Sequence, residues 1–154
     1  MSKALKYLVI PCTATPEGRE VTSADIRHWH CDPVRKGGRG WKQVGYTDMI
    51  HLNGGVERLV GNNEDAWVDP WEVTNGAAGF NQVSRHIVYV GGKSKDGKTN
   101  KDTRTQAQKD SMAKYVRNFH RKHPDVKIIG HRDLNPGKAC PCFDVAKWLK
   151  DIRL

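Results

Sequence analysis

Short apolar runs broken by glycine, proline and polar turns alternate in this chain with stretches of helical spacing. Lys6 to Ile10 is β-branched and aromatic enough for a strand, and Pro11 ends it or confines it to a place where no N–H is needed. Thr22-Ser23-Ala24-Asp25 is a capping box, with Val21 and Ile26 placed as a hydrophobic staple. Ile26 and Trp29 share one face, which predicts a short helix over 23–30. Cys31 to Gly45 is Gly-rich and basic and reads as a loop. Tyr46 to Leu52 reads as a strand, Asn53-Gly54-Gly55 as a hairpin turn and Val56 to Val60 as the returning strand. Gly61 to Asn81 is irregular, with Trp67, Trp71 and Phe80 either lining a groove or pinning the loop to the core.

Arg85 to Val90 is the next strand. Thr105 to His123 is the clearest helix: Thr105 and Gln108 form its capping box, Met112, Tyr115, Val116 and Phe119 its apolar stripe, and Pro124 its stop. Val126 to Gly130 is a short apolar strand, and Asp144 caps a last helix whose Val145, Trp148, Leu149 and Ile152 form one buried face. The order β-α-β-β-β-α-β-α predicts a single α/β (α+β) domain over residues 1–154. It is a mixed central sheet with about three helices on its two faces.

Composition adds limits. The charged fraction is 28% and no apolar run reaches the roughly 20 residues that span a bilayer, so membrane insertion is not expected. The apolar part of Met1 to Ile10 is too short for a signal peptide, which points to synthesis in the cytoplasm. A net charge of +9, gathered in Arg35–Arg39, Lys93–Arg104 and Arg117–Lys127, attracts polyanions generally. With the charge mostly in loops, and no helix-turn-helix, RNP or zinc-finger spacing, a specific nucleic-acid partner ranks last. Of the four cysteines, Cys140 and Cys142 are too close to bond to each other without strain, and a Cys12–Cys31 pair stays open.

The chemistry concentrates between Gly130 and Asp144, where His131, Lys138 and Cys140 share one loop between a strand and a helix. Zinc favours such a nitrogen-plus-sulfur set. The alternative is a surface His and a buried Cys in an ordinary Pro/Gly loop.

With these elements in place the chain resembles the phage-lysozyme-type N-acetylmuramoyl-L-alanine amidases, relatives of the animal peptidoglycan-recognition proteins. The resemblance rests on Val9-Ile10-Pro11-Cys12-Thr13-Ala14-Thr15, on Ile26-Arg27-His28-Trp29-His30, on Gly45-Tyr46, on Gly79-Phe80-Asn81 and, most specifically, on His131 to Asp144. It implies a zinc (Zn2+) hydrolase that cuts the amide between N-acetylmuramic acid and L-alanine in peptidoglycan. Such an enzyme would be a monomer that reaches the wall after release or assisted export. In that picture His131 and Cys140 are two of three metal ligands. Tyr46 hydrogen-bonds the attacking water or the reacting group, and Lys138 stabilises the developing oxyanion.

One departure matters. The family pattern ends the first strand in His-Cys-Thr or His-Cys-Ser, and that His is the remaining ligand; here the position is Pro11, which has no side-chain donor. Cys12 is adjacent, but neighbouring strand residues point to opposite faces, so it is expected to miss the site. His86 is a possible substitute if its face is right. The alternative function is a weak or inactive peptidoglycan-binding module on the same fold.

Overall fold

A strand flanked by partners on both sides must be apolar on both faces, and Leu8, Val9 and Ile10, all fully buried, satisfy that demand. A computed structural model describes all 154 residues. Its elements are β1 (Lys3–Ala4), β2 (Tyr7–Ile10), β3 (Thr15–Pro16), α1 (Ser23–Cys31), β4 (Asp48–Ile50), β5 (Val56–Arg58), β6 (Trp67–Val68), β7 (Ser84–Tyr89), β8 (Gly92–Lys93), α2 (Gln106–Lys122), β9 (Lys127–Gly130), α3 (His131–Leu134) and α4 (Val145–Asp151). Five strands make the central sheet in the order β5-β4-β7-β2-β9. β2 runs parallel to β7 and β9, β4 runs parallel to β7, and β5 alone is antiparallel to its neighbour.

Alternation along the strands divides the interior in two. Leu8, Ile10, Ile87 and Tyr89 face Met112, Val116 and Phe119 of α2 and Val145 and Trp148 of α4. On the opposite face Met49, Val88 and Val90 meet Val21, Ile26 and Val44, which bring in α1. Each fully buried aliphatic side chain contributes roughly 1.5–3 kcal/mol, so the face carrying α2 and α4 dominates the packing. No helix is long and apolar enough to cross a membrane.

The helix signals hold in detail. Thr22 accepts from Asp25 N at 3.1 Å while Asp25 accepts from Thr22 N at 2.9 Å. Thr105 and Gln108 reciprocate at 2.9 and 3.0 Å, and Asp144 caps α4 through Lys147 N at 3.1 Å.

Several expectations change. The strand expected over Tyr46–Leu52 contracts to Asp48–Ile50, because Thr47 spends its backbone groups on His86 O and on Leu59 and Val60. The stretch from Gly61 to Asn81 holds β6, paired with β1, and a 3-10 turn at Pro70–Glu72. Phe80 pins it, edge-on to Tyr7 at 6.0 Å, whereas Trp67 and Trp71 remain about half exposed. The open Cys12–Cys31 pairing is excluded: Cys12 packs in the α2/α4 core and Cys31 against the α1 core, on opposite faces of the sheet.

Candidate active site

Register brings the two decisive segments together. Ile10 pairs with Gly130 across β2 and β9, so Pro11 and His131 leave the same edge of the sheet side by side. Gly130 is needed there, since a Cβ would lie 2.9 Å from Pro141 Cδ and 3.1 Å from Val145 Cγ2. The expected loop begins as the single turn α3, started by Gly130 N–H donating to Asp133 Oδ2 at 2.8 Å. Lys138 N–H donates to Asn135 O at 2.9 Å, and Arg132 N–H donates to Cys140 O at 2.8 Å. These bonds fold Cys140 back beside the start of α3. Lys138 itself is exposed, and its charge acts on both His131 and Cys140.

Cys12 keeps its expected face yet touches Cys140. Its backbone N–H donates to Cys140 Sγ at 2.9 Å, and its thiol donates to the Cys140 sulfur as well. Residue 12 still pairs with Tyr89 in the β2–β7 register and its side chain joins Leu8 and Ile10 on the α2/α4 face, as alternation requires; it is the backbone that reaches Cys140. Donation by the Cys12 thiol, and then by the Cys12 amide, holds the Cys140 thiol below its usual range. The same contact pushes Cys12 up to about 12. His131, half-buried, is held below the usual imidazole range by burial and then by Lys138, so it is a neutral nitrogen donor at neutral pH.

The position expected for a third ligand is Pro11, buried and without a donor. His86 pairs in register with Val9, two residues before Pro11, and so lies on the same face one step deeper. Its Nδ1 meets Thr74 Oγ1 at 2.7 Å, while its buried Nε2 has no partner. Burial, and secondarily His131, lower its pKa to about 3. No three His, Cys, Asp or Glu side chains are arranged to hold a metal ion.

Tyr46 stands on the α1 side. Its ring lies against His30 at 5.1 Å, and its phenol is pushed above the usual range by burial and then by the charges of Cys140 and Cys12. It therefore stays protonated and can donate a hydrogen bond. His30 is a residue that sequence reasoning missed. It accepts from Gly45 N at 2.9 Å and packs at a tilt against Trp41 at 4.8 Å, fixing the turn that carries Tyr46. The signal was available: His30 follows Ile26 by four and belongs on the same helix face. Gly76 was also missed; a Cβ there would lie 2.5 Å from His86 Cδ2 and 2.7 Å from Gly45 O.

Known proteins share this fold. The family model described as N-acetylmuramoyl-L-alanine amidase (Amidase_2) matches residues 1–143. The endolysin of Enterobacteria phage K11 is 32% identical over 142 residues, covering 92% of this chain and 83% of that one. Among solved structures, the Ph2119 endolysin from the Thermus scotoductus MAT2119 bacteriophage superposes with a TM-score of 0.70 at 23% identity, covering 96% of this chain and 84% of that one. Bumblebee PGRP-SA gives 0.69 at 18%, covering 96% and 81%. The sheet order, the loop from His131 to Asp144 and these likenesses together place the chain in the N-acetylmuramoyl-L-alanine amidase family.

Proposed function

We propose that this chain recognises the muramyl-peptide junction of peptidoglycan and hydrolyses the amide between N-acetylmuramic acid and L-alanine, with turnover held down by Pro11. The observation that carries this reading is the edge where β2 and β9 end together. Arg132 N–H, next to His131, donates to Cys140 O there, the Lys138 charge acts on both His131 and Cys140, and the charge of Cys140 acts on Tyr46. Lys138 would stabilise negative charge developing on the scissile oxygen, and the protonated Tyr46 phenol would hydrogen-bond the attacking water or the reacting group.

A divalent ion at this edge would find two donor side chains where a catalytic zinc site takes three. Losing even an outer-shell partner costs about 10–100-fold in metal affinity or activity, and losing a direct ligand costs at least that. A second reading, a muramyl-peptide-binding module without useful turnover, is favoured by the same Pro11.

Zinc content after dialysis, measured beside lysis of purified peptidoglycan, tests the proposal on this chain and on its Pro11→His variant. The expected result is substoichiometric zinc and slow lysis for the Pro11 chain, with zinc approaching one per chain and lysis at least ~10–100-fold faster in the variant. Tight one-to-one zinc with rapid lysis by the Pro11 chain would overturn it. Wall binding without lysis in either protein would favour the binding module.

A further inference from the structure

Three of the four cysteines meet at one place. Cys140 Sγ sits over the Cys12 backbone, 2.9 Å from its nitrogen and 3.8 Å from its carbonyl oxygen. The Cys12 thiol is buried in the core cluster against which Cys140 and Cys142 pack. It packs against Gly92, where a Cβ would lie 2.5 Å from Cys12 Sγ, and Cys142 Sγ donates to Gly92 O at 3.3 Å. Cys31 stands apart, on the other face of the sheet. Nothing in the hydrolytic reading uses a second thiol beside Cys140.

We infer that Cys12 and Cys140 form a thiol–disulfide exchange site, closing to a reversible disulfide with a low-molecular-weight disulfide such as oxidised glutathione as co-substrate. Cys140 is partly exposed and Cys12 is 5% exposed, so the small disulfide reaches Cys140 first. The Cys140 sulfur attacks one sulfur of oxidised glutathione, forming a mixed disulfide and releasing one glutathione thiolate. Cys12 then attacks Cys140 Sγ, the mixed S–S bond breaks and the second glutathione leaves. The two protein thiols are oxidised and lose their protons, and one glutathione disulfide is reduced to two thiols. Cys142 is anchored on Gly92 O and remains a thiol.

The closed form takes Cys140 out of use as a ligand, so oxidation switches off whatever hydrolysis the chain has. That consequence rests on the proposed function; the disulfide rests on the thiol geometry alone.

The test incubates the reduced full chain in glutathione buffers of increasing oxidised fraction, alkylates it and maps tryptic peptides. The expected product links Tyr7–Arg19 to Ala139–Lys147, with titratable thiols falling from four to two per chain. Both Cys140 and Cys142 lie in the second peptide, so variants decide between them. Cys142→Ser should keep the link and Cys140→Ser should lose it. A link that survives Cys140→Ser, or glutathione adducts on Cys31 and Cys140 with no link, would overturn the inference. Lysis by the Pro11→His variant is then followed in the same buffers. A disulfide that forms while lysis continues unchanged would leave the exchange site standing and remove Cys140 from the hydrolytic reading.

Discussion

The two segments that meet at the site edge differ in what they have kept. The loop from Gly130 to Cys142 carries its full chemical set, with His131, Lys138 and Cys140 held by backbone bonds from Arg132, Lys138 and Cys12. The end of β2 carries none: Pro11 offers no donor, yet β2 keeps its register with β7 and β9 up to Ile10. The difference teaches that this site is positioned by strand pairing and loop hydrogen bonds, which are indifferent to the side chain at residue 11. A ligand can be lost without loss of the frame that would present it.

The sharpest way to break that comparison is to restore the poor half and then damage the rich one. In a Pro11→His background, Lys138→Ala should lower the rate of wall hydrolysis by about 10²–10³-fold with zinc content unchanged. Unchanged rates would remove Lys138 from the chemistry.

Next in size is the core beneath both halves. Met112, fully buried between α2 and the sheet, should cost about 2–5 kcal/mol on substitution by Ala, read as a lower urea midpoint at constant slope. Because that core supports β2 and β7, which carry β9 and β4 at their outer sides, both halves should fail together as the protein unfolds.

The α1 face gives a pH-dependent effect. Burial lowers His30 to about 4, below the ordinary 6.5, so the folded state favours the neutral ring whose Nδ1 accepts from Gly45 N. Its folded pKa lies below the unfolded one, so its contribution is complete above pH 6.5 and is lost as pH falls toward 4. Chemical denaturation across pH should show stability declining in this window by about 1–3 kcal/mol, and His30→Asn should flatten that decline. An unchanged slope in the variant would assign the decline to other groups, His86 first.

An effect of similar size is local. Gly76→Ala drives a methyl to 2.5 Å from His86 Cδ2 and should cost about 1–3 kcal/mol. A neutral result would mean that His86 moves aside easily, and a metal titration of the same variant would show whether its freed Nε2 then joins His131 and Cys140.

Much of this was legible along the chain. The capping boxes at Thr22 and Thr105 and the stripe from Met112 to Phe119 are local patterns, written in residues three or four apart, and the structure keeps them. The strand at Tyr46 was read too long because nothing local reveals that Thr47 serves His86 and the returning strand. His30 was read only as part of a motif, although its spacing from Ile26 placed it inside. Cys12 keeps the side that alternation gives it, but nothing local reveals that its backbone N–H meets Cys140.

By itself the sequence determined the element order, the two helix faces that form core, the family and the missing donor at residue 11. These follow from side-chain identity and short-range periodicity. Only the tertiary structure decided that His86 Nε2 is buried and unpartnered on the Pro11 face, and that the Cys12 and Cys142 thiols meet at Gly92 with Cys140 over the Cys12 backbone. It also decided that Tyr46 rests on His30. Those facts depend on strand register and on contacts between residues far apart in sequence, as with the 128 positions between Cys12 and Cys140, and no local pattern encodes them.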